Sequence, residues 1–397
     1  MNFVDTVRDW TESGVMALTG HADGPPVLPP GNAASVARSL SILLAAATVL
    51  TEHPVTVDGA ALLAERAAFT GRSRNGTVSV GGSARLLRTR DSWGVISCAR
   101  PDDVHLLGAL VGEELSDHNV WPKVARWLES TPDDEVTARI SMLGIAGGVV
   151  REPDEAVCTN SFSHNRFRSV EGALVVDFSA LWAGPLCAHL LGLAGARIVK
   201  VETPQRPDGA RRGNAEFYRL LHGGHESVAL DPSIRSQRDA LAQLVARADI
   251  VIESSRPRAL IGFGLDPERF AQNGGVWVSI TAAGRSSDRI GFGDDIAATS
   301  GLVAWDVHGT PLFVGDAIAD PLTGLASAAA VLTSRTDCGQ LIDMSMSSVV
   351  GSTVSTATAP AQHSGAHPPQ CRTRPGRAPL SGETTAATLH SLGIEVP

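Results

Sequence analysis

The residues best placed to do chemistry are aspartates that stand just ahead of apolar or small-residue runs. Asp320 precedes Pro321 and opens a stretch of small residues reaching Ser334, a pattern that predicts a helix. An aspartate there caps the helix, its carboxylate accepting from exposed amides of the first turn. The same helix end is partly positive, which favours the ionised carboxylate and predicts a lowered pKa. A carboxylate held in line and partly desolvated is also a nucleophile for covalent catalysis, so capping and catalysis are both open at Asp320. Asp294 and Asp295 precede a predicted helix over Ile296–Val303, and capping is the plain reading for both. Arg211, Arg212, Arg256 and Arg258 have the charge to meet phosphates. Gly81-Gly82 forms a turn. His189, His222 and His225 lack the spacing of a metal site, and the sequence carries no Walker A, GxSxG, HExxH or GxGxxG pattern. No metal is therefore expected.

The elements that must hold these residues follow from composition and pattern. The chain of 397 residues is long enough for one large domain, or a large and a small one. Lys plus Arg number 33 against 42 Asp plus Glu, for a formal charge of -9. That balance argues against a general nucleic-acid binder or an anionic-membrane binder. The most apolar run, Val36 to Leu50, contains Arg38 and is too short to span a bilayer, so it predicts a buried helix. The five cysteines (Cys98, Cys158, Cys187, Cys338 and Cys371) form no CxxC pair, which favours a reducing compartment. Met1–Asp9 is acidic and mixed, unlike a signal peptide. A cytoplasmic, soluble protein is the expectation.

Four segments are expected. Residues 1–70 begin weakly patterned and continue as two Ala- and Leu-rich helices, an N-terminal helical segment packing on the large domain. Residues 71–157 predict a small α/β domain, with strands near Ala84–Leu87, Gly94–Cys98 and Gly144–Val150 and helices between. Residues 158–352 alternate apolar strands with helices. Strands are predicted at Leu174–Asp177, Arg197–Glu202, Ser227–Leu230, Asp249–Glu253, Gly275–Ile280 and Leu341–Met344. That alternation is the signature of a mostly parallel, Rossmann-like sheet covered by helices, so the fold class is α/β. Residues 353–397, rich in Ser, Thr, Ala, His and Pro, predict a flexible tail with little fixed structure.

Four segments in order carry a specific resemblance: Val175–Pro185 continuing to Gly195–Glu202, Ala248–Pro257, Val314–Gly324, and Gly339–Ser345. Together they resemble the class III coenzyme A transferases of the CaiB/BaiF type. That family includes formyl-CoA transferase, carnitine CoA-transferase and alpha-methylacyl-CoA racemase. Residues 77–157 resemble the family's small domain, which in the family follows the main sheet and here precedes it. The chain thus resembles a member with circularly permuted segments, or the junction of two tandem copies.

The resemblance implies an acyl-CoA:carboxylate CoA-transferase with Asp320 as nucleophile, forming first an aspartyl anhydride and then an enzyme–CoA thioester. It implies CoA contacts at Trp182, Thr203, Leu230, Ser233, Ser254, Ser255 and Arg256, several of which differ in type from the family pattern. Gly81 and Gly82 resemble the glycine loop that covers the intermediate. CoA and acyl-CoA are implied as substrates, with no tightly bound cofactor. An interlocked homodimer, or a heteromer with a homologous chain, is implied as the assembly. In racemase-like members a histidine precedes the Asp294-Asp295 region; Phe292 or Gly293 falls there and can carry no proton. A racemase or epimerase, and a non-catalytic CoA-ester-binding subunit, are the alternatives.

Overall fold

The computed structural model describes residues 3–152, 167–255, 257–354, 365–373 and 376–397. A small antiparallel sheet comes first, in the order β1 (Ala84–Arg88), β2 (Trp93–Ser97), β3 (Gly147–Val149). Helices Asp103–Val111, Val120–Ser130 and Asp133–Leu143 cover it, and Ile96, Leu107, Val124, Leu128 and Ile140 close a core of their own.

The main sheet follows: β4 (Leu174–Asp177), β5 (Arg197–Glu202), β6 (Glu226–Ala229), β7 (Ile250–Glu253) and β8 (Val276–Thr281). A hairpin of β9 (Val303–Trp305) and β10 (Pro311–Phe313) intervenes before β11 (Gln340–Ser345) completes that sheet. The six strands are all parallel, in the order β11-β8-β7-β4-β5-β6. Chain order reverses between β4 and β7. In such doubly wound sheets the loops leave a crevice outside the carboxyl ends of the two strands at the reversal.

Alternation along the strands explains the two-sided burial. Val175, Ile198, Ile250, Ile252 and Val278 face one core. Leu174, Val176, Val199, Val201, Val251 and Trp277 face the other. On the first side, helices Ala183–Leu193, Ala319–Leu332 and Ala33–Thr48 pack together. Gly324 permits this: a Cβ there would stand 2.5 Å from the Ala183 carbonyl oxygen.

Residues 3–33, read as weakly patterned, include helix Phe3–Glu12. Trp10, Val15 and Met16 are fully buried in the first core, and Arg38 ties the helix down through Asp9 at 2.5 Å and Glu12 at 3.1 Å. The helix predicted over Ile296–Val303 occupies Gly293–Thr299, and β9 replaces its end.

The tail differs from expectation over its described part. Helix Thr385–Ser391 lies on the outer edge of β6, with Leu389 fully buried and Ile394 nearly so. The Thr384 Oγ1 accepts the Ser227 amide at 2.8 Å and the Thr385 Oγ1 accepts that of Ala229 at 3.0 Å. A composition rich in Ser and Thr is here a set of hydroxyls satisfying an otherwise open sheet edge. Residues 355–364 lie outside the described residues. Among the described residues, no helix is long and apolar enough to cross a membrane.

Candidate active site

The loops after β4 and β7 meet at the reversal. A cavity of about 250 Å3 lies there, lined by Ala180, Leu181, Ser254, Ser255, Phe292 and Asp320 among others. Leu181 has φ 68°, left-handed for a residue with a side chain. Its amide donates to Asp208 Oδ1 at 3.0 Å, and Lys200 Nζ holds Asp208 Oδ2 at 3.0 Å. Lys200, Asp177 and Asp208 are all buried, and the buried ammonium, shared between the two carboxylates, fixes the conformation of the cavity wall.

Asp320 is the second residue of helix Ala319–Leu332 and is half-buried. Ile318 holds the N-cap place, so the expected capping by Asp320 does not occur. The expected lowering of its pKa is also overturned. Burial pushes the carboxyl up to about 7; Arg66 opposes this, and Asp294, Asp295 and Asp316 add to it. Desolvation and three like charges outweigh the helix end and one guanidinium.

Arg66 organises this cluster. Its Nε donates to Asp316 Oδ2 at 2.8 Å, its Nη2 to Oδ1, and its guanidinium lies 4.9 Å from the Trp182 ring centre. Asp294 is nearly buried, and its carboxyl is raised to about 7 by burial and by Asp316. Asp294 Oδ1 accepts the Ala317 amide at 2.9 Å. Ala317 has φ 47°, and it sits in the turn that leads into Asp320. A Cβ on Gly293 would stand 2.3 Å from the Ala317 carbonyl oxygen, so the backbone contact requires glycine. Asp295 accepts from Ser97 Oγ at 2.7 Å and from the Phe292 amide at 2.9 Å, joining β2 to helix Gly293–Thr299. Burial raises its carboxyl to about 6.

The sequence model of CoA-transferase family III matches residues 170–383. This chain belongs to CoA-transferase family III. A succinate–glutarate CoA-transferase of Agrobacterium fabrum is 28% identical over 46% of this chain and 52% of that protein. A succinyl-CoA–D-citramalate CoA-transferase of Chloroflexus aurantiacus is 27% identical over 45% of this chain and 49% of its own length. A formyl-CoA:oxalate CoA-transferase of Escherichia coli is 26% identical over 46% and 48%. The chain thus spans about half the length of the curated relatives it matches. Among solved structures, a CaiB/BaiF family protein from Brucella suis is 27% identical with a TM-score of 0.44, covering 51% of this chain and 62% of that one.

Within this family III chain, a second cavity of about 210 Å3 shares Ala180 and Ser255 with the first. Thr203, Leu230, Leu260, Phe263 and Arg206 line it. Thr203, Leu230, Ser254 and Ser255 are therefore brought to one crevice with Asp320. Trp182 is not: it is buried behind the wall, edge-on to Phe217 at 5.1 Å. The left-handed turn at Leu181 sends the following residue into the core. Ser233 is exposed and bonds Asp231 at 2.6 Å, outside both cavities. Arg256 lies outside the described residues. Arg211 is held by Glu202 and by the Pro379 carbonyl, over the Tyr218 ring.

Gly81 lies against the cluster rather than in the cavity wall. A Cβ there would be 3.5 Å from Arg66 Nη2 and 3.8 Å from Asp316 Oδ1. Arg72 donates to the Gly81 carbonyl at 2.6 Å, and Gly82 turns the chain with φ 82°. Sequence reasoning missed Arg66, Asp316, Leu181 and Arg206. Arg66 carried no signal, whereas Leu181 and Asp316 fall within the resembling segments Val175–Pro185 and Val314–Gly324, and Arg206 falls in the loop after the second strand of the main sheet. Among the described residues, one group, Glu52, His53 and Glu171, brings three possible metal ligands together; all are exposed and none lines the cavity.

Proposed function

We propose that this protein moves CoA between carboxylic acids with Asp320 as the nucleophile. The observation that carries the reading is the place of Asp320. It is a half-buried carboxylate in the cavity at the sheet reversal, beside the loops after β4 and β7. The other carboxylate of that cavity, Asp288, is exposed. Ionised Asp320 attacks the acyl-CoA carbonyl, the C–S bond breaks, and a mixed anhydride and CoA thiolate result. The thiolate attacks the Asp320 carbonyl, releasing the first carboxylate and leaving an enzyme thioester. A second carboxylate reopens the thioester to an anhydride, and the thiolate takes its acyl group, restoring Asp320. The adjoining cavity, with Thr203, Leu230 and Arg206, receives the nucleotide end of CoA, and Arg206 meets phosphate.

The small sheet precedes the matched region, which supports a permuted segment order. The working form in this reading is an interlocked homodimer or a heteromer with a homologous chain. Proton transfer at a CoA ester is less supported, because neither histidine nor lysine lines the cavity among the described residues. The test is intact mass spectrometry after mixing with an acyl-CoA panel. An adduct of CoA less one water, erased by borohydride and absent in Asp320→Ala, is expected. Binding of CoA esters with no adduct from any donor would remove the reading.

A further inference from the structure

The order of elements around Asp320 occurs a second time in the chain. Helix Gly293–Thr299, Gly301, Gly315, helix Ala319–Leu332 and the short helix Met346–Gly351 follow one another there. Helix Phe3–Glu12, Gly14, Gly31, helix Ala33–Thr48 and the short helix Gly59–Leu62 repeat that order. The glycines match in conformation: Gly301 and Gly14 have φ 90° and 82°, and Gly315 and Gly31 have φ 67° and 70°. The sequences match in pieces, Ser300-Gly301-Leu302 with Ser13-Gly14-Val15, and Ala328-Ala329-Ala330 with Ala45-Ala46-Ala47. The two long helices pack on each other. The first turn of helix Ala33–Thr48 holds no acid, so this copy has no counterpart of Asp320.

The copies differ in what covers them. Helix Ala319–Leu332 has helix Ala183–Leu193 and β8 against it, and every residue except Asp320 and Ala330 is buried. Helix Ala33–Thr48 keeps a bare face. Ser39, Ile42 and Ala46 are exposed, and so are Val49 and Leu50 just beyond its end. Ile42 is 64%, Val49 63% and Leu50 96% exposed. Positions 39, 42, 46 and 49 follow the three-four-three spacing of a coiled-coil seam. Holding that apolar seam in water is unfavourable in proportion to its area, and a facing helix is the partner its spacing fits. The exposed face of helix Arg235–Arg247 shows the contrast, carrying Arg235, Asp239, Gln243 and Arg247.

The seam itself selects its occupant. Arg38, the one charged residue of the helix, is turned to Asp9, Glu12 and Asp58, so the seam offers nothing to a charged partner. Small Ala46 stands at its middle, with Ile42 one turn before and Val49 and Leu50 one turn after. A seam of that form is complementary to itself. Across a two-fold axis at Ala46, Ile42 of one copy meets Val49 and Leu50 of the other, and the alanines let the helices approach. A stable interface buries about 1,200–2,000 Å2 in total, and one pair of three-turn seams lies at the low end. The pair is therefore expected to come apart on dilution.

We propose that helix Ala33–Thr48 pairs antiparallel with the same helix of a second copy of this chain. The inference builds on the homodimer reading of the assembly and adds the face and its symmetry.

The test is sedimentation velocity on the full chain across a dilution series, with wild type, Ile42→Glu/Leu50→Glu and Ala46→Cys. Wild type should pass from twice the mass of one chain to the mass of one on dilution. Ile42→Glu/Leu50→Glu should stay at one chain over the same series with its thermal transition unchanged, because both side chains are exposed in the single chain. After mild oxidation, Ala46→Cys should give a dimer in which peptide mapping finds the introduced thiols joined to each other. Mapping sets that link apart from any through the exposed Cys338 and Cys371. A wild type that is one chain at every concentration overturns the inference and the homodimer reading together. A wild-type dimer that Ile42→Glu/Leu50→Glu retains, or one that leaves the introduced thiols unjoined in Ala46→Cys, overturns the inference alone. The Asp320 adduct is measured separately, and none of these outcomes bears on it.

Discussion

Asp294 accepts the Ala317 amide at 2.9 Å and so pins the left-handed turn from which Asp320 projects. One carboxylate thus positions another while repelling it. The two roles separate by substitution. Asp294→Asn keeps an acceptor and removes the charge; Asp294→Leu removes both. Asp294→Leu leaves a buried amide without its partner and should cost about 1–3 kcal/mol. Asp294→Asn should do the reverse at high pH. The folded-state carboxyl titrates near 7, above its ordinary value of 3.8, so the native state binds the extra proton and loses stability as pH rises through that window. The melting temperature of Asp294→Asn relative to wild type should therefore improve between pH 5 and pH 8. A constant difference would contradict this account.

The Asp320 carboxyl should set a pH dependence of its own. Attack needs the ionised form, and the group titrates near 7 in the free protein. Adduct formation at limiting acyl-CoA should rise with pH and level off above about 7, falling about tenfold per unit well below it. Because Asp294 titrates in the same range, the observed midpoint belongs to the pair. A profile flat from pH 5.5 to 8.5 would show that neither group controls the step.

Arg66 is the cation that opposes this upward shift, and its influence reaches Asp294, Asp316 and Asp320 together. Arg66→Met should move the midpoint of adduct formation upward by about one unit or more. It also strands Asp316, which is almost fully buried, at a cost of about 3–5 kcal/mol. Arg66→Lys should recover part of the pH shift but little of the two-pronged pairing. Measuring stability and the pH profile on both variants separates field from fold. An unchanged midpoint in Arg66→Met would remove Arg66 from the electrostatics of the site.

The parallel sheet was legible because β4, β5, β7 and β8 are short apolar runs buried on both faces, and such runs declare themselves without partners. Asp320 was legible as a position and not as an environment. Its helix could be read from the small residues after it. The carboxylates around it come from residues 294, 295 and 316, and their counter-charge from residue 66 in a distant segment. No local pattern gathers those. Gly293 illustrates the same limit: as sequence it is a departure from a family motif, and in the fold it is the gap that admits the Ala317 carbonyl. Trp182 was misplaced for a local reason, since one left-handed residue before it reverses which side chain meets the cavity.

The C-terminal helix was illegible because its anchoring is by hydroxyls rather than by an apolar stripe. Thr384 and Thr385 accept two amides of the open edge of β6, Thr388 donates to Glu226 at 2.6 Å, and Leu389 fills the space beneath. Leu389→Ala should therefore cost about 2–5 kcal/mol, the range for a fully buried leucine. Thr384→Val removes the acceptor for the Ser227 amide without changing shape and should cost about 1–3 kcal/mol. Urea unfolding gives both values. A chain cut before Thr384 should expose the edge of β6 and associate through it, so light scattering should rise with concentration above that of the full chain. An association state no larger than that of the full chain at any concentration, with unchanged unfolding, would show that the segment is an appendage rather than the cover of the sheet.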